Sequence, residues 1–130
     1  MQLSVTKSES AFTPTGLQNI GNTCFMNSVL QPMMATPYLT DYFKNNFSKE
    51  KHHRSTKLAK TYCELLNTCR NSGGRTVTPS SLKKAVSRTV KTFSGYNQQD
   101  SQEFLRFLID RMHDELNRVT KKAKYKELNF

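Results

Sequence analysis

Cys24 follows a turn-forming run and precedes an apolar one. Residues 16–23 include two glycines, two asparagines and a threonine, whereas residues 25–30 are compatible with a helix. This order predicts a loop that delivers the cysteine to the first turn of a helix. The unpaired N–H groups and partial positive charge of a helix N-terminus stabilise a thiolate, which is the nucleophilic form of cysteine.

Asn19 is the second residue of this stretch that could take part in catalysis. Its side-chain amide lies five residues before Cys24. A donor held there by a tight, glycine-containing loop could face an oxyanion that forms on the attacked carbon. A second interpretation stays open, in which Asn22 or Thr23 is an ordinary helix N-cap and Cys24 is a small buried hydrophobe. Composition alone favours that second interpretation.

Two motifs resemble a known family. The stretch GLQNIGNTCFMNSVLQ at residues 16–31 resembles the cysteine box of the ubiquitin-specific proteases, papain-like cysteine proteases that remove ubiquitin. Every fixed position of that box is matched without a gap. The stretch GYNQQDSQEFLRFL at residues 95–108 resembles the next box of the family, Gln-Gln-Asp-(Ala/Ser)-x-Glu-Phe. The resemblance implies a cysteine-type deubiquitinase, which hydrolyses bonds to the C-terminal glycine of ubiquitin.

The resemblance implies roles for three residues. Cys24 matches the catalytic nucleophile, and Asn19 matches the asparagine of the oxyanion hole. Asp100 matches the acidic residue that binds an arginine in the C-terminal tail of ubiquitin, and the same carboxylate could also cap a helix. Further matches, which we interpret as setting local structure, are Gln98, Gln99, Glu103 and Phe104.

The resemblance spans residues 15–119 and implies a mainly α fold, the helical thumb subdomain of a papain-like cysteine protease fold. We expect residues 1–14 to form a flexible lead-in and residues 120–130 a basic tail. In the family, a β palm carries the catalytic histidine and β fingers often hold zinc. Nothing in the chain resembles either, and His113 is interpreted as a solvated histidine of the last helix.

We therefore expect the palm and fingers to be absent, whether the protein is a fragment of a longer protease or stops here. Without a histidine to accept the proton of Cys24, we expect this chain alone to be inactive. The expected partners are ubiquitin or ubiquitinated proteins, and the palm of the same catalytic domain. The alternative function is a non-catalytic ubiquitin-binding or pseudo-deubiquitinase module.

Helical spacing predicts the elements that position these residues. The cysteine helix is expected from Cys24 to about Gln31, where Pro32 ends or kinks it because proline lacks an N–H. Thr36 and Thr78, each before a proline, are expected to be N-caps. The other predicted helices are Pro37 to about Asn45, Ser55 to about Arg70, the segment after Thr78-Pro79 to about Val90, and Asp100 to about Val119.

Apolar positions within these helices predict which faces are buried. Each of the four later helices carries one apolar stripe. The stripes are Tyr38, Leu39, Tyr42 and Phe43; Leu58, Tyr62, Leu65, Leu66 and Cys69; Leu82, Ala85 and Val86; and Leu105, Leu108, Ile109, Met112, Leu116 and Val119. Asp100 and Glu103 have capping-box spacing.

Composition limits the other classes of protein. The 130 residues suit one small domain, and although only 35% are hydrophobic, they are clustered, which argues against wholesale disorder. No apolar run approaches a membrane span, and the first residues lack the apolar core of a secretory signal. Three cysteines without a CxxC pair predict free thiols in a reducing, intracellular compartment, cytoplasmic or nuclear.

Charge leaves one further function open. The net charge is +10, which could indicate a basic helical module for nucleic acid. The basic residues are spread over three segments rather than packed into one block, so no nucleic acid is expected as a partner. The adjacent His52 and His53 are interpreted as a surface loop rather than a metal site, and no metal, cofactor or membrane partner is expected.

Overall fold

The computed structural model describes residues 15–120, which form five α-helices. The helices are α1 (Cys24–Met34), α2 (Pro37–Asp41), α3 (Lys57–Arg70), α4 (Ser80–Thr89) and α5 (Ser101–Leu116). Within that range the one β pairing is an isolated parallel bridge between Leu17 and Val77. The predicted mainly α fold is confirmed. The predicted lead-in and all of the predicted tail except Thr120 lie outside the described residues.

The core lies between α1, α3 and α5, with α4 packed on α3. The fully buried side chains include Met26 and Leu30 of α1, Tyr62 of α3, and Phe104 and Leu108 of α5. Burying each such side chain stabilises the fold by about 1.5–3 kcal/mol relative to leaving it in water. The predicted stripe of α3 is confirmed, since all five of its residues are buried. In α4, Leu82 and Val86 are buried and Ala85 packs against the core.

The buried face of α5 is narrower than the sequence predicts. Ile109 is 51% exposed and Val119 is 59% exposed, so their predicted burial is wrong. The buried residues of α5 are three or four positions apart: Phe104, Leu108, Met112 and Glu115. A helix that rests on its neighbours along one line buries only such a row, and the flanking positions face solvent. The helix also ends at Leu116 rather than near Val119.

Pro32 does not end the cysteine helix. It lies inside α1, which continues to Met34. The proline stands in the last turn, where its lack of an N–H removes a single helical hydrogen bond. The amide of Ala35 still bonds the carbonyl of Gln31 at 3.1 Å, which closes the helix.

The second helix has no fully buried residue and packs against the core through the partly buried Leu39. Tyr38 is 90% exposed, so its predicted place in an apolar stripe is wrong, whereas Phe43 is buried. The chain passes from α2 into a π-helical turn, Tyr42–Asn46, and there the Phe43 ring contacts that of Tyr62, with centroids 5.0 Å apart. A 3-10 turn, Lys91–Phe93, similarly follows α4 and buries Phe93.

The two predicted threonine caps bond elsewhere. Thr36 occupies the N-cap position of α2, but its hydroxyl donates to the carbonyl of Pro32 at 2.8 Å. The hydroxyl of Thr78 donates to the Gln18 side chain at 2.6 Å, and Pro79 occupies the cap position of α4. A capping hydroxyl accepts from a backbone N–H through its oxygen, and neither helix has such a bond; both hydroxyls instead donate their proton to a carbonyl oxygen. No helix within residues 15–120 has the length and apolar character needed to span a bilayer.

Candidate active site

Cys24 is the first residue of α1, and its side chain is exposed. The carbonyl of Thr23 accepts from the amides of Met26 and Asn27 and so begins the helix. No side chain caps α1, and among the described residues nothing accepts from the N–H groups of Cys24 and Phe25. The helix N-terminus therefore keeps two free donors and its partial positive charge beside the sulfur. Thr23 occupies the N-cap position that the second interpretation allowed for it, but its side chain makes no cap bond, and the predicted burial of Cys24 is wrong.

The amide of Asn19 is held in one orientation. Its Oδ1 atom accepts from the backbone N–H of Gly21 at 3.1 Å, from that of Thr23 at 3.2 Å, and from the Thr23 hydroxyl at 3.3 Å. Within residues 15–120 the Nδ2 atom has no acceptor. Because Oδ1 is occupied, Nδ2 is left as a free donor on an exposed residue next to the nucleophile's helix.

The start of the loop is fixed by two side chains of α1. Residues 16–18 pair with Val77, whose N–H donates to the carbonyl of Gly16 at 2.9 Å. Asn27 donates its side-chain N–H to the carbonyls of residues 17 and 18, at 3.4 and 3.2 Å. Gln31 donates likewise to the carbonyl of residue 15 at 2.8 Å. These polar residues of the cysteine box therefore tie the loop to the helix that carries the nucleophile.

Gln98 contacts the sulfur of Cys24. Its Nε2 atom lies 2.8 Å and its Oε1 atom 3.1 Å from Sγ, although the two residues are 74 apart in sequence. The same connector accepts a hydrogen bond at its Tyr96 carbonyl from the Asn22 side chain, at 2.8 Å. The sequence predicts only a local structural role for Gln98 and gives no sign of this contact with the cysteine.

A glycine sits where the loop meets this connector. Gly21 has a φ of +111°, and a Cβ placed on it would lie 2.7 Å from the Tyr96 ring. A side chain at this position would be strained by its backbone and would also collide with the ring. The loop and the connector can therefore approach this closely only with glycine at position 21.

Asp100 is the N-cap of α5, and only one of its two carboxylate oxygens makes a capping bond. Its Oδ1 atom accepts from the N–H of Gln102 at 2.7 Å and from that of Glu103 at 3.4 Å. This confirms the Asp100 side of the predicted capping box. Among the described residues Oδ2 has no partner, and the side chain is exposed. The second oxygen is therefore free to accept from a cation while the first caps the helix.

Cys24 differs from the other two cysteines of the chain in exposure. Cys63 and Cys69 are free but buried, and burial raises the pKa of both thiols. Neutral buried thiols are poor nucleophiles. The exposed cysteine at a helix N-terminus is therefore the one with the surroundings of a reactive thiol.

None of the three histidines is bonded to Cys24. His52 bonds the carbonyl of Phe47 at 2.9 Å and packs on its ring. His113 is exposed and lies in a cavity with Met33, at the other end of α1 from Cys24. The helix between those ends is eleven residues long, which corresponds to about 16 Å at 1.5 Å per residue. His113 is therefore too distant to accept a proton from the sulfur.

The family model "Ubiquitin carboxyl-terminal hydrolase" matches residues 15–129. The chain belongs to the ubiquitin carboxyl-terminal hydrolase family. The family predicted from the cysteine box and the Gln-Gln-Asp box is thus confirmed. Human ubiquitin carboxyl-terminal hydrolase 2 is 45% identical over 90% of this chain and 20% of its own length. Rat ubiquitin carboxyl-terminal hydrolase 15 is 45% identical over 82% of this chain and 12% of its own length.

Solved structures of this family share the fold. The chain superposes on a SAGA DUB module bound to monoubiquitin with a TM-score of 0.66, at 24% identity over 80% of this chain and 25% of that one. A second such module, bound to ubiquitin aldehyde, gives a TM-score of 0.65 at 25% identity, over 83% of this chain and 25% of that one. The chain thus spans a fifth or less of the curated relatives cited and a quarter of these structures.

Proposed function

We propose that this chain is the thumb portion of a cysteine-type deubiquitinase and supplies its nucleophile, Cys24. The observation that carries the proposal is the exposed sulfur at an uncapped helix N-terminus, beside a loop that presents the free amide of Asn19. Family membership supports ubiquitin as the substrate, as does the binding of monoubiquitin and ubiquitin aldehyde by the two structural neighbours.

In the proposed reaction, Cys24 attacks the carbonyl carbon of the terminal glycine of ubiquitin. A tetrahedral oxyanion forms and then collapses to a thioester as the amine leaves, and water hydrolyses the thioester. The Nδ2 donor of Asn19 and the free N–H groups at the start of α1 stabilise the oxyanion. Losing one such donor typically lowers the rate by about 10²–10³-fold.

Asp100 is proposed to bind the substrate rather than to take part in the chemistry. Its Oδ2 atom is free among the described residues and would accept from an arginine in the ubiquitin tail. A charge-assisted bond of this kind adds affinity and fixes the position of the tail along the site. Gln98, through its contact with Cys24, links this end of α5 to the nucleophile.

The general base is proposed to come from a palm outside this chain, since no histidine of the chain is bonded to Cys24. We therefore expect no turnover from the chain alone. The same observation favours a second candidate function, a module that binds the ubiquitin tail without cleaving it. Cleavage by the longer protein would decide between the two.

The test uses ubiquitin that carries a C-terminal electrophile. We expect this chain to be labelled slowly and only on Cys24, located by mass spectrometry of the tryptic peptides, with Cys24→Ala as the control. In a longer protein that includes the palm, Cys24→Ala should abolish cleavage, Asn19→Ala should lower kcat more than it raises KM, and Asp100→Ala should mainly raise KM. Cleavage that survives Cys24→Ala, or labelling of Cys63 or Cys69, would overturn the assignment.

A further inference from the structure

We infer that Thr23 is a positioning residue, which holds the side-chain amide of Asn19 in place through both its backbone N–H and its hydroxyl. The inference rests on the proposed function for its catalytic meaning, but the geometry behind it is independent of that function. Thr23 is fully buried, one of three buried polar or charged residues among those described. A buried hydroxyl must be hydrogen-bonded to offset the loss of water, and that requirement locks its neighbours as well.

The hydroxyl of Thr23 both accepts and donates a hydrogen bond. Its oxygen accepts from the backbone N–H of Ile20 at 3.1 Å. Its proton is then available for an acceptor, and the Oδ1 atom of Asn19 stands 3.3 Å away. Since Ile20 supplies a donor and Asn19 an acceptor, the hydroxyl cannot rotate without losing a bond.

The backbone around Asn19 excludes the flipped amide. Two N–H groups, those of Gly21 and Thr23, point at the same side-chain atom, at 3.1 and 3.2 Å. If the amide were rotated by half a turn, Nδ2 would meet these two donors, and donor would face donor. With Oδ1 held on three donors, Nδ2 is turned away from those donors and stays free to donate, as the proposed role in the oxyanion hole requires.

Thr23 also joins this network to the nucleophile. Its carbonyl accepts from the amides of Met26 and Asn27 at 3.1 and 2.9 Å, which begins α1 one residue before Cys24. One residue therefore sets both the helix start that carries the sulfur and the loop amide that would stabilise the oxyanion. Its branched side chain, stiff at χ1, suits that role better than a serine would.

The structural test is made on this chain by NMR. In the wild-type protein we expect a slowly exchanging Thr23 hydroxyl proton and a rigid Asn19 side-chain amide. In Thr23→Val, which keeps the volume and removes one of the three hydrogen bonds to Oδ1, the Asn19 amide should be measurably more mobile than in the wild type; in Thr23→Ser it should stay as rigid as in the wild type. If Thr23→Val fails to fold, the exchange rate of the Thr23 hydroxyl proton in the wild-type protein still tests the inference. Fast exchange of that proton with water would overturn it. An Asn19 amide that stays rigid in a folded Thr23→Val would overturn it as well.

The catalytic test is made on the longer protein. We expect Thr23→Val to lower kcat by about tenfold, less than the loss of the donor itself, and to leave KM within about twofold. Thr23→Ser should restore most of kcat. If Thr23→Val frees the Asn19 amide while kcat is unchanged, positioning by Thr23 stands and the proposed role of Asn19 in the oxyanion hole fails. If kcat falls while the amide stays rigid, the inference about Thr23 fails and the proposed function survives.

Discussion

The side-chain amide of Gln98 lies on the sulfur of Cys24, with Nε2 2.8 Å from Sγ. The Oε1 atom of the same amide lies 3.1 Å from Sγ, so the amide covers one side of the exposed sulfur. We therefore expect Gln98→Ala to raise the rate at which a small reagent alkylates Cys24, measured by mass spectrometry at a single pH.

Gln99→Ala, one residue along the same connector, is the matched control and should leave the alkylation rate of Cys24 unchanged. An unchanged rate in Gln98→Ala would mean that the amide does not shield the sulfur.

Gly21→Ala should destabilise the loop that precedes Cys24. The added methyl meets the Tyr96 ring at 2.7 Å, and the backbone at φ +111° disfavours any side chain. The control is Gly73→Ala, which has a positive φ of +63° but no atom within 4 Å of the new methyl. In denaturant unfolding, Gly21→Ala should lower the free energy of unfolding more than Gly73→Ala does, by about 1 kcal/mol or more. The double variant Gly21→Ala/Tyr96→Ala should recover part of the stability that Gly21→Ala loses. If the effects of the two substitutions on the free energy of unfolding simply add, the methyl does not collide with the ring.

Glu115 caps a helix other than its own. Its carboxylate is buried and accepts from the N–H of Ala59, in the first turn of α3, at 2.9 Å. Glu115→Ala leaves that N–H without an acceptor, so we expect a loss of about 1–3 kcal/mol in the free energy of unfolding. Glu115→Gln keeps an acceptor and should lose less. Asp114→Ala, on the exposed side of α5, should change stability by less than about 0.5 kcal/mol.

The Glu50 network predicts how stability depends on pH. Hydrogen bonds from Arg118, and then from Tyr42, lower the pKa of Glu50 from 4.5 to about 2. A lowered folded-state pKa contributes stability above the unfolded value, and that stability is lost as the pH falls. The free energy of unfolding should therefore fall from about pH 4.5 to about pH 2, and Glu50→Gln should flatten this part of the profile. If the free energy of unfolding of Glu50→Gln falls as steeply with decreasing pH, Glu50 is not the cause of the pH dependence.

The same network acts at alkaline pH with the opposite sign. Burial, and then the hydrogen bond to Glu50, raises the pKa of Tyr42 from 10.0 to about 12. A raised pKa contributes stability below the unfolded value, and this stability is lost as the pH rises through the folded value. Tyr42→Phe should therefore remove the fall in stability between about pH 10 and about pH 12, measured by denaturant unfolding.

An open apolar cavity predicts self-association of the chain. The cavity, about 540 Å³, lies between α1, α2 and α5 and is lined by Met33, Leu39, Met112 and Leu116 together with the half-exposed Ile109. Exposed apolar surface of this kind is removed from water when copies associate. We expect the apparent mass from light scattering to rise with concentration, and Ile109→Lys to suppress the rise without lowering the melting temperature. A monomer at every concentration would contradict this.

The sequence by itself determined the family, the helical class and the positions of the chemistry. The loop before Cys24, the start of α1 at that residue, and the N-cap role of Asp100 follow from local rules: turn residues, free amides at a helix start, and short-range capping bonds. The buried stripe of α3 follows from spacing along a single helix. Each of these features is decided within a few residues, so local sequence suffices to predict it.

The tertiary structure decided what lies against the site. The contact of Gln98 with Cys24 joins residues 74 apart, and the bond of Thr78 to Gln18 joins residues 60 apart. Exposure of Ile109, which spacing alone predicts to be buried, depends on which neighbouring helix covers α5. Local sequence allows each of these side chains several partners. Packing between distant segments decides which of them is contacted. For that reason the sequence could point to Cys24 as the candidate nucleophile, whereas only the fold shows which groups lie against it.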